Sequence, residues 1–250
     1  MNYHHSNTLQ REPRLIEGVI GNLPMFRHLS GPLIARLAAE SRSQHAPRGA
    51  LICRRGESLP GLYAVAFGLV KLALHGSDGS ERVVRLVGPG ETFGNATALL
   101  GRPSSFDGSA IEDCLLAIIP PGAVLDIVEG DGGFARSLVL RLCESTLGFL
   151  AEVEANAHSH AIQRVASYLD RSVEPINGSG TWLVRLPVTK TVMASRLGIK
   201  KETLSRLLRE LSERGLIAVD GREIVVHDRP GLAAIARAGN GARSARTTDH

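Results

Sequence analysis

Between residues 49 and 125 turn-forming residues recur about every eight to twelve positions, and that punctuation restricts the fold more than any other feature of the chain. The turns are carried by Arg55-Gly56, Phe67-Gly68, Asp78-Gly79, Gly88-Pro89-Gly90, Gly101-Arg102-Pro103 and Pro120-Pro121-Gly122. Between them lie short aliphatic or β-branched runs such as Leu62-Tyr63-Ala64-Val65, Val70-Lys71-Leu72-Ala73-Leu74 and Arg82-Val83-Val84-Arg85-Leu86-Val87. The pattern predicts many short strands joined by tight turns, hence an all-β roll or barrel. Ser77-Asp78-Gly79-Ser80 is a predicted hairpin turn, because Asp-Gly supplies the positive φ angles such turns require.

The texture changes near Gly133. From Phe134 to Val173 there is no proline and Gly148 is the only glycine, which predicts one long helix or two in succession. Val139, Leu142, Thr146, Phe149, Val153 and Asn156 follow alternating steps of three and four, a heptad seam suited to packing along a partner helix. The alternative is that this stripe packs on its own β-domain. Leu138, Leu140, Leu147 and Leu150 occupy further faces, so one face is expected on the roll and the seam on a second subunit. Dimer contacts are expected from Val139, Leu142, Thr146, Phe149 and Val153. A further helix is predicted over residues 161–173, a loop over 174–180 and a mobile tail over 239–250.

Thr189 is a favourable N-cap for a short helix from Lys190 to Leu197, which Gly198 breaks. A second helix is predicted from Lys201 to Arg214, stopped by Gly215. At 3.6 residues per turn Leu204, Leu207, Leu208 and Leu211 share one side, and Glu202, Ser205, Arg206 and Arg209 cluster on the other. Amphipathicity alone describes any surface helix, but here the polar residues have the chemistry of base readers. Arg forks onto guanine O6 and N7, Glu accepts from cytosine N4, and Ser reaches bases or phosphates. Lys190 and Lys201 are expected to hold phosphates. The segment from Gly215 to Val226 reads as strand, Asp220-Gly221 turn and strand, a wing beside the helix-turn-helix.

Charge agrees with that placement. Residues 1–156 hold 14 basic and 16 acidic groups, whereas residues 157–250 hold 15 basic and 9 acidic, so the net +4 of the chain is carried by its C-terminal part. Solvated arginines would explain such an excess equally well if no reader accompanied them. The longest run free of Asp, Glu, Lys and Arg, Ser58 to Val70, falls short of the roughly 20 residues of a membrane-spanning helix. Met1 to Gln10 lacks the apolar core of a signal peptide, so a cytoplasmic protein is expected. Cys53, Cys114 and Cys143 show no metal or redox spacing and are read as reduced thiols. His158 and His160 would stand about 200° apart on one helix and could not share a metal, and no metal site is expected. No catalytic residues are assigned: the Gly-x-Ser-x-Gly elbow, P-loop, His-Glu-x-x-His and dinucleotide fingerprint are missing from the sequence.

Taken with the wing, the stretch from Leu186 to Val226, with its Glu202-Thr203-Leu204-Ser205-Arg206 run, resembles the winged helix-turn-helix of the CRP/FNR family of bacterial transcription regulators. Gly68-Leu69-Val70-Lys71, Gly90-Glu91-Thr92-Phe93-Gly94 and the stretch from Ala98 to Cys114 extend the likeness to the β-rich part. The resemblance implies an α+β chain with a cyclic-nucleotide-binding-like β-roll, a long dimerisation helix and a C-terminal winged helix-turn-helix. The expected organisation is an N-terminal extension at 1–22, the roll at 23–130, the dimerisation helix at 131–160, the DNA-binding domain at 161–236 and a flexible tail at 237–250. Implied partners are double-stranded DNA, a second copy of the chain and RNA polymerase, with no membrane. In the cyclic-nucleotide binders it resembles, a Gly-Glu pair after Phe holds the ribose and a later Arg holds the phosphate. Here Gly94-Asn95 and Ser104 stand at those positions, so usual cAMP binding is not expected, and Gly94, Asn95, Ser104 and Ser105 are the candidate effector pocket. No cysteine precedes Cys53, against an N-terminal iron–sulfur cluster. Val192, Lys200, Leu186-Pro187-Val188 and Asp220-Gly221-Arg222-Glu223-Ile224 resemble the dissimilatory nitrate respiration regulators, which implies haem and nitric oxide as one candidate signal. A different small molecule, or none, are the alternatives.

Overall fold

The apolar runs between the turns are strands. β1 (Arg42–Ala46), β2 (Leu51–Cys53), β3 (Leu62–Phe67), β4 (Val70–His75), β5 (Glu81–Val87), β6 (Thr92–Phe93), β7 (Asp107–Ala110) and β8 (Cys114–Ile119) pair antiparallel into two four-stranded sheets. Their orders are β1-β8-β3-β6 and β2-β7-β4-β5. Tyr63, Val65, Val70, Leu72, Phe93 and Leu116 form the core of the roll. The Tyr63 and Phe93 rings stack at 4.8 Å, and Phe106 meets Phe93 edge-on at 6.4 Å.

Helices cover the other face of the first sheet. α1 (Pro13–Asn22), α2 (Gly31–Glu40), α4 (Pro121–Gly130) and the start of α5 (Gly132–His158) bury Ile16, Ile20, Phe26, Leu37, Val124 and Phe134 against Leu62, Ala64 and Ile119. β3 therefore sends alternate residues into two different cores, which is why Leu62 to Val65 is apolar throughout instead of alternating. The short α3 (Asn95–Leu99) leaves the end of β6. At the β3–β4 turn Gly68 has φ +87°, and a Cβ there would lie 2.2 Å from the Asp113 carbonyl oxygen and 2.8 Å from Cys114 Sγ. Only glycine lets those two chain segments approach.

The structure, a computed structural model, describes residues 13–76, 81–158, 160–175, 182–186 and 188–238. Two compact units result, Met1–Ser145 and Thr146–His250. In the second, α6 (Ala161–Arg171) is followed by β9 (Glu174–Pro175), β10 (Trp182–Arg185), α7 (Lys190–Arg196), α8 (Lys201–Glu213), β11 (Ile217–Asp220), β12 (Glu223–Val226) and α9 (Arg229–Arg237). The sheet order is β11-β12-β10-β9. Val165, Leu169, Val184, Leu204, Leu211 and Ile224 lie in its buried interior.

Several sequence expectations need correction. Pro121 opens helix α4 where Pro120-Pro121-Gly122 reads as a turn, since proline is well suited to the first turn of a helix. α3 interrupts the expected all-β stretch, and residues 13–22 of the expected extension are helix α1. Glu174 and Pro175 pair with β10 as a short strand within the expected loop. On α5 Leu138 is buried, whereas Leu140, Leu147 and Leu150 are exposed. His160 is the N-cap of α6, so His158 and His160 do not share one helix. The expected hairpin turn at residues 77–80 and the tail from residue 239 lie outside the described residues, although the strands flanking the former pair in register from Val70↔Val87 to His75↔Glu81. Among the described residues no helix is long and apolar enough to cross a membrane, and no group of three His, Cys, Asp or Glu is arranged to hold a metal ion.

Candidate nucleic-acid interface

The hydroxyl of Thr189 accepts the Val192 N–H at 3.5 Å and starts α7, which buries Met193 and Ala194. Gly198, at φ +64°, turns the chain so that α8 begins three residues later. Leu204, Leu207, Leu208 and Leu211 are buried, each contributing roughly 1.5–3 kcal/mol as area removed from water. That buried side leaves no rotational freedom for the rest of the helix. Lys201, Glu202, Ser205, Arg206 and Arg209 are all exposed and line one shallow concavity of about 390 Å³. Glu202 lies in the first turn, where the positive end of the helix dipole favours a carboxylate.

The cations of this face differ from their neighbours. Arg214 pairs with Glu210, Arg185 with Glu223 at 3.2 Å, and Arg229 with Asp170 at 2.9 Å while lying 4.4 Å over the Trp182 ring. No ion pair joins Lys201, Arg206 or Arg209 to a described residue. A surface with charged donors held out and unneutralised is suited to an external polyanion. Lys190, the first residue of α7, is half-buried and is not part of this concavity. Two further exposed cations received no role from the sequence: Lys200, the N-cap of α8, and Arg222, at the tip of the β11–β12 wing. Their signal was present, since a wing tip and a helix entry are both places where cations meet phosphates.

In the roll, three of the four expected pocket residues are internal and Ser105 is exposed. Ser104 is buried, its hydroxyl donating to the Phe106 carbonyl at 2.7 Å and its N–H to the Glu57 carbonyl at 2.8 Å. Gly94 abuts Leu59, so the segment from Gly56 to Leu59 borders both Gly94 and Ser104. Asn95 Nδ2 donates to Thr92 Oγ1 at 2.7 Å, while its buried Oδ1 has no partner among the described residues. Arg102 is exposed. Ser104, expected from the resemblance at the phosphate-holding position, is a neutral, internally bonded hydroxyl.

Comparison with known proteins agrees with both halves. Residues 43–131 match the cyclic nucleotide-binding domain and residues 163–235 the Crp-like helix-turn-helix domain. The chain is 32% identical over 225 residues to the nitrogen fixation regulation protein FixK of Rhizobium meliloti, covering 86% of this chain and 92% of that one. The chain belongs to the CRP/FNR family of transcriptional regulators. Within this family it is also 24% identical over 228 residues to the CRP-like cAMP-activated global transcriptional regulator of Mycobacterium tuberculosis, covering 89% of this chain and all of that one. The solved structure of FixK2 from Bradyrhizobium japonicum shares the fold with a TM-score of 0.65 at 24% identity, over 78% of this chain and 96% of that one. As a CRP/FNR protein, the chain carries a DNA-binding helix-turn-helix in α7 and α8.

Proposed function

We propose that this regulator works in the cytoplasm as a homodimer reading a two-fold symmetric operator, with half-sites about one helical turn, roughly 34 Å, apart. The observation that carries the reading is the set of five exposed polar side chains on α8, whose cations have no ion-pair partner among the described residues. Arg206, Glu202, Ser205 and Arg209 would read base edges, with Lys201 and Lys190 on phosphates. Support for the second copy comes from α5, where Val139, Leu142 and Phe149 of the heptad seam are 58%, 39% and 63% exposed. An apolar stripe of that size on a soluble surface calls for a partner. Thr146 belongs to the same seam; the side chain of Val153 lies outside the described residues. RNA polymerase is the further partner.

The signal enters through the roll and is other than the usual cAMP contact. A cyclic phosphate at Ser104 would have to break the Ser104 to Phe106 bond. Effector binding would act by shifting the population of dimer-seam arrangements, and with it the spacing of the two α8 helices. An effector-independent regulator is the alternative, favoured by the Tyr63, Phe93 and Phe106 rings packed beside the pocket residues. Haem, implied by likeness to the nitrate respiration branch, would find no preformed thiolate at the two buried cysteines. Cys53 and Cys114 are buried thiols whose pKa is raised by desolvation, unlike a thiolate ligand. His75 bonds Asp107 at 2.8 Å through Nδ1 and lines a concavity of about 370 Å³ with Leu51, Arg54, Ala73 and Glu81.

Binding-site selection from a randomised duplex pool should enrich a palindrome with TTGA-like half-sites. On that duplex R206A should lose about 1–3 kcal/mol and become indifferent to one base pair per half-site. Equal affinities of wild type and R206A for every duplex would overturn the assignment.

A further inference from the structure

The turn between α7 and α8 is held from outside by α6. No backbone N–H of the described residues bonds the Leu197 carbonyl: the N–H groups of Leu197, Gly198 and Ile199 go to the carbonyls of Met193, Ser195 and Ala194. That carbonyl belongs to the end of α7, where a helix runs out of its own donors. Arg164, half-buried on α6, supplies the missing donor, its Nε lying 2.9 Å from the Leu197 oxygen. One turn further along α6, the Tyr168 ring lies 5.8 Å beneath the guanidinium of Arg196, the last residue of α7. Two side chains of α6, four residues apart and so on one face, grip the end of α7. Behind them α6 is anchored by buried Val165, Ala166 and Leu169, and α6 and α8 pack together.

We infer that Arg164 is a positioning residue for operator reading: its bond to the Leu197 carbonyl sets the turn from which α8 departs, and thereby the aim of Arg206 and Arg209. The inference rests on the reading of α8 as the DNA-contacting helix. Base readout by a forked guanidinium tolerates only a fraction of an ångström of misplacement, whereas charge attraction to phosphates tolerates much more. Loss of the bond should therefore reduce discrimination between sequences while sparing non-specific affinity.

Two neutral variants separate this role from a direct phosphate contact. Gln carries an N–H the same number of bonds from the backbone as Arg Nε, and Met carries a methyl there. Affinity would be measured across a salt series for the duplex enriched by the wild type and for a scrambled duplex, with circular dichroism of each variant. R164M should lower the ratio of the two affinities about five- to tenfold, the size expected of one hydrogen bond. R164Q should keep that ratio within about twofold of wild type, and both variants should keep the salt slope. Equal loss in both variants, with a slope reduced by about one, would make Arg164 a phosphate contact and overturn the inference. So would an R164M that discriminates like wild type, or one that unfolds. A wild-type protein that enriches no sequence would instead overturn the DNA-binding reading itself, and this inference with it.

Discussion

Cys53 and Cys114 are buried and Cys143 is exposed on α5. Burial pushes the Cys53 thiol up to about 11, with Asp107 and Glu57 adding to the rise and hydrogen bonds from Gly108 and Ser104 opposing it. Its ordinary value is 9.0, so the folded chain holds this proton more tightly than the unfolded one. The contribution to stability is constant below pH 9 and is lost as pH rises towards 11. Denaturation midpoints should decline over that interval, and the decline should be shallower in C53A. The native protein should titrate with one fast thiol, Cys143, and two slow ones, and fast labelling of Cys53 would contradict its burial. Gly68 offers a second test. G68A would place a Cβ 2.2 Å from the Asp113 oxygen and should cost at least ~2 kcal/mol. G49A, with a similar φ of +85° but open space around it, should cost only about 1 kcal/mol by thermal or chemical melts. Gly68 was legible as a turn residue, but its close approach to the strand at Asp113 and Cys114 was not, because that contact joins segments some distance apart in sequence.

At the scale of elements, α5 carries the largest expectation. V139D and F149D put charges into the heptad seam and should each convert the protein to monomer in sedimentation equilibrium, with loss of operator binding. Retention of a dimer by the double variant would place the subunit contact elsewhere. The long helix α5, both helix-turn-helix helices and the wing were readable because each carries its own period, with stops such as those at Gly198 and Gly215. α1 also has its period, in Leu15, Ile16, Val19 and Ile20, but the polar start of the chain masked it. α3 is too short to show a period, and α4 begins at the residues that end strands elsewhere. In the roll, the bond from Ser104 to Phe106 was not legible, because hydroxyl partners follow backbone geometry.

Across the whole molecule each unit combines local with long-range contacts. β1 pairs with β8, joining Arg42 to Ile118, so the first sheet is complete only when segments from opposite ends of the roll have met. The second unit also mixes ranges: α7 packs on α8 and β11 pairs with β12 across a two-residue turn, while α6 packs on the distant α9 and β10 pairs with β12. Long-range pairing slows folding and local pairing speeds it. The single tryptophan of the chain, Trp182, lies in β10 of the second unit, against Arg229. Intrinsic fluorescence after dilution from denaturant should therefore follow the joining of β10 to β12 and α9, and an indole signal unchanged by R229A would contradict that contact. The position of one indole thus makes the protein its own reporter for half of its folding reaction.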